Sequence, residues 1–293
     1  MTPTIGITCA SGQLASESAK WLKVPFPPIS QSYPGQDTVA GPNNNWALQM
    51  WSNYFVTELT GCKQVVITLP LLFGTGWNIG CTGHTMSPQA PTDTTGKGNF
   101  PTLMTLTDVA AGAWDNMYRP CFKMIAAKFP SAALRLGQED WTKGYAWTGQ
   151  SLEALRTQAR NHLITVALEE SPNFTFIWDV GRSGPGGYNP AVTGLAKAQH
   201  VGLIGFDLYD NTPLSNALTI ISGAAALGKK VGRPVICSEW GLEGKDDPAW
   251  GTGVFNALES EVGTSLYYDK DNSALALYPK AGPAVAALMA KAV

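Results

Sequence analysis

The sequence is short of the residues that nucleic-acid, metal and membrane sites need. Only 14% of its 293 residues are charged and the formal net charge is -2, so it lacks the basic surface that binds nucleic acid. Its three histidines form no ligand-like cluster and its five cysteines have no metal-type spacing, which predicts no metal and no other cofactor. No apolar run approaches the ~20 residues that span a bilayer, so we expect no insertion into a membrane.

The N-terminus and the cysteines leave the cellular compartment open. The N-terminal segment lacks the basic start and the continuous apolar run of a signal peptide. We therefore expect either a protein that is not exported by that route or an extracellular one whose signal has been removed. Cys9 and Cys237 lie in apolar runs and are expected to be buried thiols, whereas Cys62 and Cys81 could pair in an oxidising compartment.

Aromatic residues, glycine and proline are abundant in place of charge. The chain has 10 Trp, 9 Tyr and 10 Phe, with 31 Gly and 20 Pro that indicate long, shaped loops. Sugar rings offer flat C–H faces to aromatic planes, so such loops suit carbohydrate. The alternative for each aromatic residue is that it fills the core.

Short apolar runs alternate with helical patterns along most of the chain, which is typical of parallel βα units. The composition does not change midway and no linker interrupts it, so we predict one catalytic domain over residues 1–293, an α/β protein folded as a single (β/α)8 TIM barrel. The predicted strands are residues 4–9, 29–33, 64–69, 133–136, 174–180, 202–208, 234–238 and 263–268. Helical spacing covers residues 45–59, 108–129, 151–171, 213–230, 247–262 and 283–293.

Three further features of this pattern concern the connections. Pro120 lies inside the second helical stretch and is expected to kink or divide it. The connections at residues 73–103 and 181–198 are long, and both follow a strand. In a barrel both would rise on the catalytic face and wall a cleft.

Two glutamates each end a predicted strand. Glu139 closes the run that begins at Ala133, and Glu239 closes the run that begins at Pro234. A strand that ends at a carboxylate places it at the mouth of the barrel, where enzymes of this architecture carry out their chemistry. One such glutamate could be an ordinary surface or helix-capping residue, but a pair at the fourth and seventh strands favours catalysis.

Five motifs, in the order and at the spacing of a barrel, carry a resemblance to a known family. Together they resemble glycoside hydrolase family 26 and its close relatives, which include β-mannanases, over residues from about 110 to 290. The N-terminal part resembles the family only loosely. The motifs are Leu134-Arg-Leu-Gly-Gln-Glu139 followed by Tyr145-Ala-Trp147, Phe174-Thr-Phe-Ile-Trp178, Gly205-Phe-Asp-Leu-Tyr-Asp210, Glu239-Trp-Gly241, and Ser265-Leu-Tyr-Tyr-Asp269.

The resemblance implies a retaining, endo-acting glycoside hydrolase that cleaves a β-linked polysaccharide or oligosaccharide by double displacement. Glu139 would be the acid/base and Glu239 the nucleophile. Retaining enzymes hold these two carboxyl groups about 5 to 5.5 Å apart, so that one attacks the anomeric carbon while the other protonates the leaving oxygen.

This chain departs from the family pattern beside the acid/base. Gln138 stands where relatives have His or Trp, or Asn in the wider clan, and Trp141 stands where Asn is common. Gln138 could still donate a hydrogen bond to a sugar hydroxyl. Mannan is the default substrate that the resemblance implies, and a bacterial exopolysaccharide is its rival.

The same motifs supply the remaining candidate substrate-binding residues. Arg135 would organise the catalytic site or form a structural ion pair with Asp207, because a guanidinium inside an apolar strand must pair with carboxylates. Tyr209 would hydrogen-bond the nucleophile or pack in the core. The other candidates are Trp141, Trp147, Trp178, Trp240 and Tyr268, and for each of the four tryptophans core packing is the alternative.

Two functions of other classes compete with hydrolysis. A carbohydrate-binding pseudoenzyme would keep the cleft without turnover, although a binding protein has no need of two close carboxylates. A lyase or transglycosylase on the same scaffold would differ in its products. We expect the protein to be a monomer.

Overall fold

Eight parallel strands close into one barrel in the computed structural model, which describes residues 4–8, 14–32, 59–72, 105–137, 150–180, 200–269 and 273–293. Each strand pairs with the next along the chain, and β1 pairs with β8. The predicted (β/α)8 barrel is therefore confirmed. The strands are β1 (Thr4–Thr8), β2 (Ile29–Ser32), β3 (Gln64–Leu69), β4 (Ala133–Leu136), β5 (Thr175–Asp179), β6 (Val201–Tyr209), β7 (Val235–Gly241) and β8 (Thr264–Tyr268).

Helices connect the strands and pack on the outside of the barrel. Two of them continue into a π-helical turn, at Ser18–Leu22 and at Leu258–Val262. No helix in the described part of the chain is long and apolar enough to cross a membrane. The α-helices are α1 (Leu14–Glu17), α2 (Leu106–Ala110), α3 (Asp115–Lys128), α4 (Glu153–Glu170), α5 (Leu214–Val231), α6 (Pro248–Ala257) and α7 (Ala281–Ala292).

The second predicted helix is divided, but not at its proline. The chain leaves the helical conformation at residues 111–114, where Gly112 has a φ of 81° that favours glycine. Helix α3 then runs through Pro120 without a break. Of the kink or division predicted at Pro120, the division is therefore wrong. The predicted helix at 45–59 lies outside the described residues except for its last residue, and both long connections lie outside them as well.

The barrel interior begins with an apolar layer. Five buried side chains contact one another although most of their strands are not neighbours in the sheet, so they meet across the inside of the barrel. Two larger clusters lie between the sheet and the helices, one around β1 and β5 to β8 and one around β3 and β4. The interior residues are Ile29, Val66, Ile177, Ile236 and Leu266.

Candidate active site

A polar layer lies inside the barrel toward the carboxyl ends of the strands. Asp179 follows Ile177 of the apolar layer by two positions on β5, and Arg135 follows Ala133, which packs against that layer, by two positions on β4. Side chains two residues apart on a strand face the same side. Asp207 and Glu239 are register partners on β6 and β7. The carboxyl ends of the strands form the face where barrel enzymes place their catalytic groups.

The guanidinium of Arg135 binds three carboxylates at once. Its Nε donates to Asp179 at 2.6 Å, and its two terminal nitrogens donate to Asp179, Asp207 and Glu239. Arg135 and Asp179 are fully buried, and Asp207 and Glu239 nearly so. The predicted ion pair between Arg135 and Asp207 is present, and it is one part of a larger network.

Burial alone would lower the pKa of Arg135, because desolvation penalises its charged form, but the charges of Asp179 and Asp207 outweigh burial and raise this pKa above its ordinary value. The arginine is therefore a permanent cation. Since it faces three carboxylates, the layer contains more acidic groups than basic ones.

The strand geometry that turns Glu239 inward is irregular. The register of β6 and β7 shifts between Phe206 and Asp207, so that Phe206 pairs with Cys237 while Asp207 pairs with Glu239. Ser238 is the extra residue of this bulge. It allows Ile236 and Glu239, three positions apart, both to face the interior. Gly205 makes room for the bulge, because a Cβ there would lie 2.7 Å from the Ser238 hydroxyl.

Two half-buried tyrosines pack together at the mouth of the barrel, and one of them binds Glu239. The Tyr209 hydroxyl donates to Glu239 Oε2 at 2.8 Å, the hydrogen bond that the motif on β6 implied. The Tyr268 ring, on the last residue of β8, packs edge-on against the Tyr209 ring with centroids 6.1 Å apart. Arg135 and Tyr209 thus hold opposite oxygens of one carboxylate, which fixes its orientation.

Two of the predicted sugar platforms lie in the core instead. Trp178 directly precedes Asp179, and Trp240 directly follows Glu239. Because these two carboxylates face inward, the tryptophans beside them point out of the barrel toward the helices. Trp178 is 2% exposed, and the guanidinium carbon of Arg160 lies 4.8 Å from the centroid of its ring. Trp240 is fully buried against the rings of Phe255 and Tyr267. Both side chains therefore pack in the core, which is the alternative that the sequence left open.

Four of the predicted site residues lie outside the described part of the chain. They are the acid/base candidate Glu139, its neighbours Gln138 and Trp141, and the platform candidate Trp147. The described part of the chain reaches Gly137, whose N–H donates to Leu69 O at 2.7 Å and whose carbonyl accepts from Arg160 at 2.9 Å.

Asp179, which accepts two hydrogen bonds from Arg135, is not among the predicted site residues. A signal for it was present, because Asp179 ends an apolar run as Glu139 and Glu239 do. The motif on β5 that resembles the family ends at Trp178, one residue earlier.

The cysteines in the described ranges form no disulfide bond. Burial, followed by the charge of Asp207, raises the pKa of Cys237 well above its usual value, so it stays protonated and donates to Glu239 O at 3.4 Å. Cys62 is a half-buried free thiol, and burial raises its pKa to about 12. Cys9 and Cys81 lie outside the described residues. Within those residues no group of three or more His, Cys, Asp or Glu side chains could hold a metal ion.

Comparisons with known proteins bear on the fold. No family model matches the chain, and no curated protein matches it in sequence. Solved structures do resemble it. Mannanase BCman from Bacillus subtilis is 11% identical with a TM-score of 0.66, over 97% of this chain and 84% of that one. A GH26 endo-β-1,4-mannanase from Bacillus sp. JAMB-750 is 13% identical with a TM-score of 0.61, over 99% and 85%. A GH26 β-mannanase from Bacteroides ovatus is 12% identical with a TM-score of 0.59, over 99% and 88%.

At these identities the likeness establishes a shared fold. Two of these neighbours carry in their names the family that the five sequence motifs resemble.

Proposed function

We propose that this protein is a retaining, endo-acting glycoside hydrolase of the family 26 type. Glu239 is the nucleophile, and Glu139, at the matching position after β4, is the acid/base. The whole chain acts as a single catalytic domain and works as a monomer.

The observation that carries the proposal is the orientation of the Glu239 carboxylate. Arg135 binds one of its oxygens and Tyr209 the other, at the end of the barrel where such enzymes react. A nucleophile in double displacement must attack the anomeric carbon along one line, and hydrogen bonds to both sides of the carboxylate fix that line. A carboxylate that served only to balance Arg135 would not need the bond from Tyr209.

The charge of the polar layer fits the same reaction. Glycoside hydrolysis passes through an oxocarbenium-like transition state, in which positive charge develops on the sugar ring. Asp179, Asp207 and Glu239 outnumber the single guanidinium of Arg135 and lie just below the place where that ring would sit. Fixed negative charge near developing positive charge lowers the barrier.

The substrate we propose is a β-linked polysaccharide. The structural neighbours named β-mannanases favour mannan. Gln138 and Trp141 differ from the family pattern next to the acid/base, and these differences favour a related polymer such as a bacterial exopolysaccharide.

A screen of polysaccharides for released reducing ends tests the proposal. We expect release from mannan or from an exopolysaccharide, and we expect Glu239→Ala to lower it by at least about a thousandfold, because it removes the attacking group. The matched control is Glu261→Ala, an exposed glutamate outside the barrel whose carboxylate accepts from Ser222. If Glu239→Ala kept its activity, the chemistry would lie elsewhere.

A further inference from the structure

Tyr209, which binds Glu239, is followed directly by a second acidic residue with a different set of contacts. Asp210 is fully buried. Its carboxylate accepts the backbone N–H of Glu243 at 2.8 Å through one oxygen and that of Lys245 at 2.9 Å through the other. Its own N–H donates to Gly241 O at 3.2 Å.

These contacts join the end of β6 to the segment that leaves β7. Gly241 is the last residue of β7, and Glu243 and Lys245 lie in the connection to helix α6. Residues 209 and 210 therefore contact β7 and the segment that follows it at two places. Tyr209 binds the Glu239 side chain, and Asp210 binds the backbone of residues 241–245.

The same connection has a weaker tie on its exposed side. The Asn211 amide donates to the Glu243 carboxylate at 2.9 Å, and both side chains are accessible. The far end of the connection is held by Asp246, whose carboxylate accepts the backbone N–H groups of Lys280 and Ala281 at 2.7 to 3.1 Å. Asp246 makes the same kind of contact as Asp210 but to a different element, helix α7.

We infer that Asp210 is a positioning residue for Glu239, and this inference rests on the proposed function. The bond from Tyr209 to Glu239 depends on how the end of β6 lies against the end of β7, and Asp210 fixes that relation through three backbone contacts. A displacement of about 1 Å at a reacting group can lower turnover a hundredfold. Asp210 itself is buried and reaches no substrate.

The test replaces one oxygen of each anchoring carboxylate. Asp210→Asn keeps the shape of the side chain but turns one acceptor into a donor that faces a backbone N–H. We expect kcat to fall by about tenfold with KM within about twofold of the wild type. Asp246→Asn makes the same replacement of an acceptor by a donor at the other end of the connection, and we expect this variant to keep the wild-type kcat.

A second comparison distinguishes an effect on the nucleophile from an effect on the acid/base. Displacement of the nucleophile slows the attack on any substrate. The kcat/KM of Asp210→Asn should therefore fall by the same factor on the polysaccharide and on an aryl glycoside with a good leaving group. A loss confined to the polysaccharide would point to the acid/base instead and would overturn the inference.

Hydrogen exchange tests the anchor without an activity assay. The amides of Glu243 and Lys245 should exchange faster in Asp210→Asn and at the wild-type rate in Asp246→Asn. If Asp210→Asn does not fold, Asn211→Ala replaces it, because it loosens the same connection from the exposed side. For that variant we expect a two- to threefold lower kcat.

The outcomes distinguish this inference from the proposed function. Wild-type kcat in Asp210→Asn, or in Asn211→Ala where that variant replaces it, overturns the inference while a dead Glu239→Ala variant leaves the hydrolase standing. An active Glu239→Ala variant overturns both.

Discussion

The two layers inside the barrel differ in what holds them together. The lower layer consists of aliphatic side chains from five strands, and the upper layer consists of one arginine and three carboxylates. Burial of aliphatic side chains stabilises the fold through an interaction that has no preferred orientation, whereas buried charges are tolerated only in a defined hydrogen-bonded geometry. The lower layer should therefore determine stability and the upper layer the position of Glu239.

The largest expected effect comes from removing the cation of the upper layer. Arg135→Met leaves three buried carboxylates without their common partner, so the free energy of unfolding should fall by about 3 to 5 kcal/mol and activity should be lost. Urea denaturation measures the first effect and the polysaccharide assay the second. Arg119→Met is the control, since Arg119 pairs with Glu169 and Glu170 on the surface and its loss should leave the denaturation midpoint nearly unchanged.

A cavity in the lower layer should affect stability alone. Leu266 is fully buried, so Leu266→Ala should lower the free energy of unfolding by about 3 kcal/mol through lost burial and the cavity left behind. The kcat of the remaining folded protein should stay within about twofold of the wild type. Leu277→Ala, at a side chain 60% exposed, should change neither quantity. A large loss of kcat in Leu266→Ala would show that the layers are not separable.

Loss of the hydroxyl that binds Glu239 should give the opposite result, a lower kcat at nearly unchanged stability. Tyr209→Phe removes a hydrogen bond to a carboxylate, worth about 1.5 to 3 kcal/mol, so kcat should fall by about tenfold to a hundredfold with little change in thermal stability. Tyr118→Phe removes the same atom from a buried tyrosine in the apolar cluster around β3 and β4, where its hydroxyl donates to Leu71 O at 2.7 Å. That control should lose stability and keep its kcat. Equal kcat in the two variants would contradict the role of Tyr209.

The smallest expected effect concerns the carboxyl pair of Asp269 and Glu17 at the rim of the barrel. Burial, followed by a hydrogen bond with Glu17, raises the pKa of Asp269 from 3.8 to about 7. The folded state therefore favours the protonated form, so this contribution to stability is complete below about pH 4 and is lost as the pH rises through 7.

Asp269→Asn should remove that pH dependence, because asparagine resembles the protonated acid at every pH. We expect the variant to gain at least about 1 kcal/mol relative to the wild type between pH 5 and pH 8. Thermal unfolding at the two pH values measures the difference. If the unfolding midpoints of the wild type and of Asp269→Asn changed by the same amount from pH 5 to pH 8, this account of the pair would be contradicted.

The strands could be predicted from the sequence because each is an apolar run between turn-forming residues. All eight are present, although β7 continues past its predicted end at Ser238 to Gly241. The division at residues 111–114 could not be predicted, because the positive φ of Gly112 depends on how the chain packs there and Pro120 was the stronger local signal.

Side-chain direction was harder to predict than strand position. Regular alternation would turn Glu239 away from the side that Ile236 faces, and only the bulge at Ser238 brings both inside. A bulge depends on the neighbouring strand, here on the space at Gly205, so local sequence does not reveal it. The placement of Trp178 and Trp240 in the core follows from the same geometry.

The configuration of products formed with azide tests most directly whether Glu239 is the nucleophile and Glu139 the acid/base. On an aryl glycoside with a good leaving group, Glu139→Ala should form the glycosyl-enzyme and be rescued by azide with retained configuration, because the anion replaces the water that Glu139 would activate. Glu239→Ala lacks the attacking group, so azide should enter from the opposite face and give the inverted product. Swapped products would reverse the two roles, and full activity in both variants without azide would contradict the account.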